Sequence, residues 1–348
     1  MKTARIFSES PRRLHDTLES FALLMELPQH YSNPLFVCSD KKTFLNSLSE
    51  STREKFELEI NSLVEKGLPP IVNLEALCVL TGFNPGLFRS FLRKKDHYYR
   101  TFTLPKGSSR RRRIAAPRVF LKAIQKWISL CLNEYYVVPP HVHGFVSGKS
   151  NVTSALVHRS AAWAVSVDIE SCFDSTKHQS VRAVFNRLGY PPEGAKLLTS
   201  LCTLGGRLPQ GAPSSPVLLN LCMLRVDKRL QKLSRKLNVE VTRYADDIVF
   251  SSPTAIEDES KLQLLNIDVK PWRLNPLKSS FTESPKRLKV NGLLVGGGRV
   301  RLTKGYRNRI RLMKYSLSKI TIESDPERFK EYSGHIAYAT NVKKLTDE

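Results

Sequence analysis

The stretch Val241-Thr242-Arg243-Tyr244-Ala245-Asp246-Asp247-Ile248-Val249-Phe250 decides the fold. Apolar and β-favouring residues flank a short acidic step, a pattern that reads as strand, tight turn, strand, with two carboxylates at the tip. Adjacent aspartates in an otherwise apolar hairpin repel each other and lose hydration unless a cation lies between them. Mg²⁺ is the expected cation, because it is hard, takes oxygen ligands and is shared with substrate phosphates. An Asp-Asp pair in a turn is by itself ordinary solvated turn chemistry, so the rest of the chain has to carry the argument.

Asp168 lies near the end of an apolar, alternating run, Trp163 to Ile169, that reads as a buried strand. A carboxylate there caps a helix, pairs with a base, or joins Asp246 and Asp247 as the third ligand of a two-metal phosphoryl-transfer site. That chemistry uses about three carboxylates to hold two cations ~4 Å apart. One cation activates an attacking 3′-oxygen and the other stabilises the triphosphate and leaving oxygen. Catalysis is then mostly positioning and charge stabilisation.

Composition points to the substrate class. The 348 residues carry 55 Lys+Arg against 32 Asp+Glu, a formal net charge of +23, spread along the chain. Arg110 to Arg113 and the Arg299–Lys319 stretch are the densest parts. The natural partner is a polyanion, nucleic acid before an anionic membrane. No apolar run approaches the roughly 20 residues of a membrane span, and Met1 to Arg13 is polar and basic, unlike a signal peptide. The cysteines, Cys38, Cys78, Cys131, Cys172, Cys202 and Cys222, lack C-x-x-C spacing and have apolar neighbours, so they read as reduced core thiols. These features fit a cytoplasmic protein.

The chain reads as 1–90 helical, with Leu14, Leu18, Phe21 and Leu24-Met25, and then Phe56, Ile60, Leu63 and Val64, at helical spacing. Gly67 and Pro69-Pro70 mark a break, and Asn73 to Leu80 is a second helix ending near Gly82. Arg100–Leu104 and Arg110–Ala115 read as a basic hairpin around a Pro105–Ser109 turn. Arg118–Tyr136 and Thr176–Leu188 follow helical patterns. Leu208–Val226 starts as a Pro/Gly-rich loop and continues as an apolar helix. Leu288–Val295 reads as one strand closed by Gly296-Gly297-Gly298, and the last fifty residues as basic helix.

In this order the blocks resemble the reverse transcriptase family, specifically its bacterial retron-type group. Thr103-Leu104-Pro105-Lys106 with Arg112 to Pro117 is similar to the fingers hairpin, Leu121 to Ile128 to the helix after it, and His143 to Ser150 to the next block. Val167-Asp168-Ile169 with Cys172-Phe173, Leu208-Pro209-Gln210-Gly211-Ala212-Pro213-Ser214-Ser215-Pro216 and Tyr244-Ala245-Asp246-Asp247 resemble the three catalytic motifs. Asn275-Pro276-Leu277-Lys278 resembles the fourth, Val290 to Leu293 the strand after it, and Gly334 to Tyr338 the late thumb. The resemblance spans about residues 98–340.

It implies an α+β right-hand polymerase: a helical extension at 1–90, fingers at 91–165, a palm with an antiparallel sheet at 166–298 (176–215 contributing to fingers) and a basic helical thumb at 299–348. It implies RNA-directed DNA synthesis with two Mg²⁺ ions and dNTPs. The setting it implies is bacterial antiviral defence: a cognate non-coding RNA, its DNA product (msDNA) as RNA–DNA hybrid, an effector protein encoded nearby and assembly around RNA. Asp168, Asp246 and Asp247 become metal ligands, with the Ile169 carbonyl as a further oxygen. Lys106, Arg112 and Arg113 reach the triphosphate or template, Phe173 packs under the sugar and excludes a 2′-OH, Gln210 and Gly211 line the nucleotide pocket, and Lys278 lies near the leaving pyrophosphate. His158, Asn291, Gly292, Arg301, Arg307 and Arg311 fall where nucleic acid is bound.

Three positions depart from the group's pattern. Retron enzymes typically carry Asn-Ala-x-x-His where this chain has Ser154-Ala155-Leu156-Val157-His158, and Val-Thr-Gly where it has Val290-Asn291-Gly292. The first catalytic motif also has Cys172 where a second aromatic is usual. These changes leave room for a defence-associated reverse transcriptase that is not a retron, primed from protein or working without a conventional template, and for a catalytically silent RNA-binding scaffold.

Overall fold

The computed structural model describes residues 41–106 and 110–347; the helix expected around Leu14, Leu18, Phe21 and Leu24-Met25, the residue Cys38 and most of the Pro105–Ser109 turn lie outside them. Two compact units form. The first comprises residues up to Val137 together with Phe173–Cys222, the second Val138–Cys172 together with Met223–Glu348.

In the first unit the helices start and stop where local chemistry says they should. Ser49 caps Glu50–Glu65, Asn73 caps Leu74–Thr81, and Asn84 caps Pro85–Arg93, each side chain accepting a backbone N–H of the first turn. Gly82, at φ 68°, ends the second of these by donating to the Cys78 carbonyl. Phe56, Ile60 and Leu63 are buried as their spacing predicts. Strands β1 (Tyr99–Lys106) and β2 (Arg110–Pro117) pair antiparallel, from Tyr99 opposite Pro117 to Lys106 opposite Arg110. The helix Val119–Tyr135 buries Leu121, Ile124, Trp127, Ile128 and Leu132. His178–Leu188 and Pro192–Cys202 are further helices; the second begins on a proline, which suits a first turn whose N–H groups have no acceptor within the helix. Gly194 lies so close to another chain segment that a Cβ would stand 2.4 Å from the Ile71 carbonyl oxygen.

The second unit is built on an antiparallel sheet of order β4-β5-β3-β6: β3 is Trp163–Asp168, β4 Glu240–Tyr244, β5 Asp247–Ser252 and β6 Ser280–Glu283. Five of the six β3 residues are buried, which accounts for its apolar composition. A second sheet runs β7 (Leu288–Val290), β8 (Leu293–Gly296), β9 (Arg299–Leu302). The single strand expected over Leu288–Val295 is therefore two strands. Asn291 (φ 46°) and Gly292 (φ 88°) form a tight turn between them, and this pair suits positive φ. Arg299–Leu302, expected to open a helical stretch, is the third strand. Val152, Ala155, Val249, Val290, Leu293, Val300 and Val342 share one apolar core, joining helix Asn151–Val157, both sheets and helix Pro326–Asp347.

The architecture is α+β. Among the described residues Cys78, Cys131, Cys172, Cys202 and Cys222 form no disulfide, in keeping with the reading as reduced thiols. No helix among the described residues is long and apolar enough to cross a membrane.

Candidate active site

The sheet register of the second unit closes the gap between the distant acidic motifs. Asp168, the last residue of β3, stands directly opposite Asp247, the first residue of β5. Tyr244 pairs with Asp247, leaving Ala245-Asp246 as a two-residue connection with Ala245 at φ 59°. The Ile169 amide donates to the Asp246 carbonyl at 3.0 Å, fixing the end of β3 to the hairpin tip. Asp168, Asp246 and Asp247 are thus gathered at one end of one sheet, together with the Ile169 backbone.

Crowding shows in the electrostatics. Packing around the Asp247 carboxyl, then the negative charges of Asp246 and Asp168, push it up to about 6, against a partial lowering by Lys278. By area Asp247 is nonetheless exposed, which leaves its carboxylate open to a cation from solvent. Asp168 is 5% exposed and ion-pairs with Lys278 Nζ. Its backbone carbonyl accepts from the Asn275 amide at 2.7 Å, so the Asn275–Lys278 loop is pinned to the end of β3.

The donor set fits Mg²⁺ bound together with a substrate, and no closed cage. Among the described residues no group of three or more His, Cys, Asp or Glu is arranged to hold a metal ion unaided. Mg²⁺ commonly uses one or two carboxylates and completes its shell with water and phosphate oxygens. Like-charged carboxylates crowded enough to raise one of them are what such a cation relieves.

The hairpin is braced from two sides. Segment 141–144 lies alongside β4, with Val142 bridged to Arg243: the Arg243 amide donates to the His141 carbonyl at 2.8 Å, and the His143 amide donates to the Arg243 carbonyl at 2.9 Å. Gly144 abuts the tip, where a Cβ would stand 2.2 Å from the Ala245 nitrogen. On the other side Arg243, fully buried, forms a two-pronged ion pair with Asp227 of helix Ser215–Leu237. Sequence reading missed this pair. The available signal was an arginine inside an apolar hairpin, and an aspartate spaced four residues from Met223 on an apolar helix face.

The other expected residues distribute as follows. Lys106, Arg112, Arg113, Phe173, Gln210 and Gly211 belong to the first unit. There the Ala115 amide donates to the Gln210 carbonyl at 2.8 Å, tying the Gln210 loop to β2. Gly211, at φ 113°, has no room for a Cβ, which would stand 2.8 Å from Ile114 Cγ2. Arg112 and Arg113 are exposed, on opposite faces of β2. Gly292, Arg301, Arg307 and Arg311 are exposed in the second unit. Arg301 and Arg307 line a cavity of about 370 Å³ with Lys286, Arg287 and Lys304.

His158 is a correction. It is 1% exposed, with Nδ1 2.7 Å from Ser251 Oγ and Nε2 2.8 Å from Thr242 Oγ1, so it braces β4 and β5 and reaches no nucleic acid. Burial, with the nearby His143, pushes it down to about 3, so it stays neutral. Asn291 also faces inward: its Nδ2 donates to Ser154 Oγ at 2.8 Å, and Ser154 Oγ donates to Thr242 Oγ1 at 2.9 Å. Two of the three departures from the retron pattern, Ser154 and Asn291, are therefore direct partners.

The sequence family described as Reverse transcriptase (RNA-dependent DNA polymerase) matches residues 93–294. The chain is 31% identical over 264 residues to the Retron Mx162 reverse transcriptase of Myxococcus xanthus, covering 66% of this chain and 54% of that one. It is 30% identical over 311 residues to the Retron Mx65 reverse transcriptase of the same organism, covering 82% of this chain and 71% of that one. Among solved structures, apo telomerase from Candida tropicalis, truncated from its C-terminal domain, aligns with a TM-score of 0.44 at 12% identity, covering 64% of this chain and 61% of that one.

Proposed function

Because the chain belongs to the reverse transcriptase family, and within it to the bacterial retron type, we propose that it is an RNA-directed DNA polymerase that copies a cognate non-coding RNA into a short DNA. The observation that supports this best is the cross-strand pair Asp168 and Asp247, with Asp246 at the adjoining tip. These carboxylates are the residues that would hold two Mg²⁺ ions, with the Ile169 carbonyl beside them. When bound, Mg²⁺ supplies activation of the attacking 3′-hydroxyl and neutralisation of the triphosphate. The protein contributes position: β3 and β5 hold the carboxylates, and Lys278 brings a cation beside Asp168 for the leaving pyrophosphate.

For the incoming nucleotide we assign Lys106, Arg112, Arg113, Phe173, Gln210 and Gly211. Phe173 is the residue assigned to excluding a 2′-OH. For the RNA and its hybrid we assign Gly292, Arg301, Arg307 and Arg311; an A-like duplex favours contacts to phosphate and sugar. The division into fingers, palm and thumb, a role in antiviral defence with a nearby effector, assembly around RNA and a cytoplasmic setting belong to the same proposal. The rival, a defence reverse transcriptase that is not a retron, drew on the Ser154 and Asn291 departures. Their mutual contact counts them as one exchange, which favours the retron reading.

Primer extension on RNA with Mg²⁺ tests the chemistry: the wild type extends and Asp246→Ala/Asp247→Ala does not. Full extension by the double variant sinks the reading, and a wild type inert on every RNA favours the scaffold. Sequencing nucleic acid bound to the protein from its host tests the type. DNA joined to RNA through a branched 2′ linkage supports a retron; DNA attached to protein supports the rival.

A further inference from the structure

We propose that Arg243, locked by Asp227, is a positioning residue that sets the catalytic hairpin tip through the Ala245 carbonyl; this rests on the reading of Asp246 and Asp247 as the catalytic pair. All three guanidinium nitrogens are engaged. Nε reaches Asp227 Oδ1 at 2.6 Å and Nη2 reaches Asp227 Oδ2 at 2.7 Å, while Nη1 reaches the Ala245 carbonyl oxygen at 3.2 Å. Ala245 is the residue before Asp246, and at φ 59° it occupies a conformation that a non-glycine residue rarely holds unaided.

Stability alone is a poor reason for this arrangement. The side chains are 0% and 1% exposed, and a buried ion pair generally stabilises no more than a well-packed apolar pair of the same volume. What an apolar pair cannot do is hold a carbonyl. The Asp227 carboxylate consumes two prongs of the fork and so fixes the plane of the guanidinium, and the third prong then points one way. His141 closes the remaining side, with Nε2 3.4 Å from Asp227 Oδ1, and its backbone carbonyl takes the Arg243 amide. Arg243 is thereby fixed by both its main chain and its side chain, and it passes that order to the residue preceding the aspartates. No lysine spans both Asp227 and Ala245, since it presents a single nitrogen.

The test is Asp227→Val/Arg243→Met, which stays close to the volume of the pair and removes the carbonyl contact, beside Arg243→Lys, which keeps the charge and gives up the fork. Thermal unfolding establishes that each is folded. Steady-state extension gives kcat and the KM for dNTP, and Mn²⁺ titration of the substrate-free protein, followed by electron paramagnetic resonance, gives metal affinity. For folded variants the expected result is a kcat lower by about 10- to 100-fold, KM changed little, and Mn²⁺ affinity weaker by about tenfold. Rates and Mn²⁺ affinity within about twofold of wild type in either folded variant overturn the proposal. Failure of the underlying reading looks different, because there Asp246→Ala/Asp247→Ala itself extends primers.

Discussion

Exchanging Ser154 and Asn291 for the pair typical of retron enzymes makes the sharpest demand on this structure. Ser154 is 0% exposed and its hydroxyl lies between Asn291 Nδ2 at 2.8 Å and Thr242 Oγ1 at 2.9 Å. Ser154→Asn alone forces a larger amide into a filled site, at a cost of about 1–3 kcal/mol. Asn291→Thr alone removes the amide donor from a buried hydroxyl, about 1–3 kcal/mol. It also places a β-branched residue at φ 46°, about 1–2 kcal/mol more. In the double variant the new amide at 154 and the new hydroxyl at 291 can bond with their roles reversed. The φ penalty enters both the Asn291→Thr single and the double, so it cancels from the coupling. The expected coupling is about 1.5 kcal/mol or more in favour of the double. At about 2–4 °C per kcal/mol for a unit of this size, the double variant melts about 3–6 °C above the temperature that adding the two single losses gives. Thermal unfolding of the four proteins at one pH and protein concentration measures it. Losses that add within about 0.5 kcal/mol refute the reasoning and make the two departures independent.

Other outcomes follow from single contacts. Gly144→Ala puts a Cβ 2.2 Å from the Ala245 nitrogen and displaces the hairpin tip, so extension falls by about 100-fold while unfolding changes by about 1–3 kcal/mol; an unchanged kcat removes the tip from the mechanism. His158, held down to about 3 against an ordinary value of 6.5, takes up no proton in the folded chain where the unfolded chain does. Stability therefore falls as pH drops from 6.5 toward 3, by about 3 kcal/mol at pH 4.5 from this residue, and the pH slope flattens in His158→Gln; equal slopes in urea unfolding contradict the burial argument. Arg301→Gln/Arg307→Gln weakens RNA binding across sequences and lowers the slope of log affinity against log salt by about two; a slope unchanged in filter binding excludes these side chains as phosphate contacts.

The sequence carried the parts of this site that depend on residue type and order. β3 ending in Asp168, the hairpin with two carboxylates at its tip, and the helix that runs from Asn73 to Gly82 are each written in local composition. What escaped depends on which segments meet. Leu288–Val295 reads as one strand because each half is too short to show its own alternation, and only pairing exposes the Asn291-Gly292 turn. β6, of four residues, is too short to stand out and becomes a strand only beside β3. His158 shares a block with nucleic-acid-binding residues, yet its two partners come from β4 and β5, so its burial was invisible along the chain. Arg243 lay inside the first stretch read, and its purpose depended on an aspartate from another helix.

The pairing of Asp168 with Asp247 has a consequence for how such a chain can change over time. Their separation is set by a ladder of main-chain hydrogen bonds, whose register is counted from strand to strand. The length of chain that leaves β3 and returns at β4 does not enter that count. Segments inserted, lost or exchanged along that excursion leave the two carboxylates facing each other, whereas deleting one residue within β3 or β5 turns one of them to the opposite face. The facing carboxylates can thus be kept while the chain that runs between β3 and β4 is rewritten.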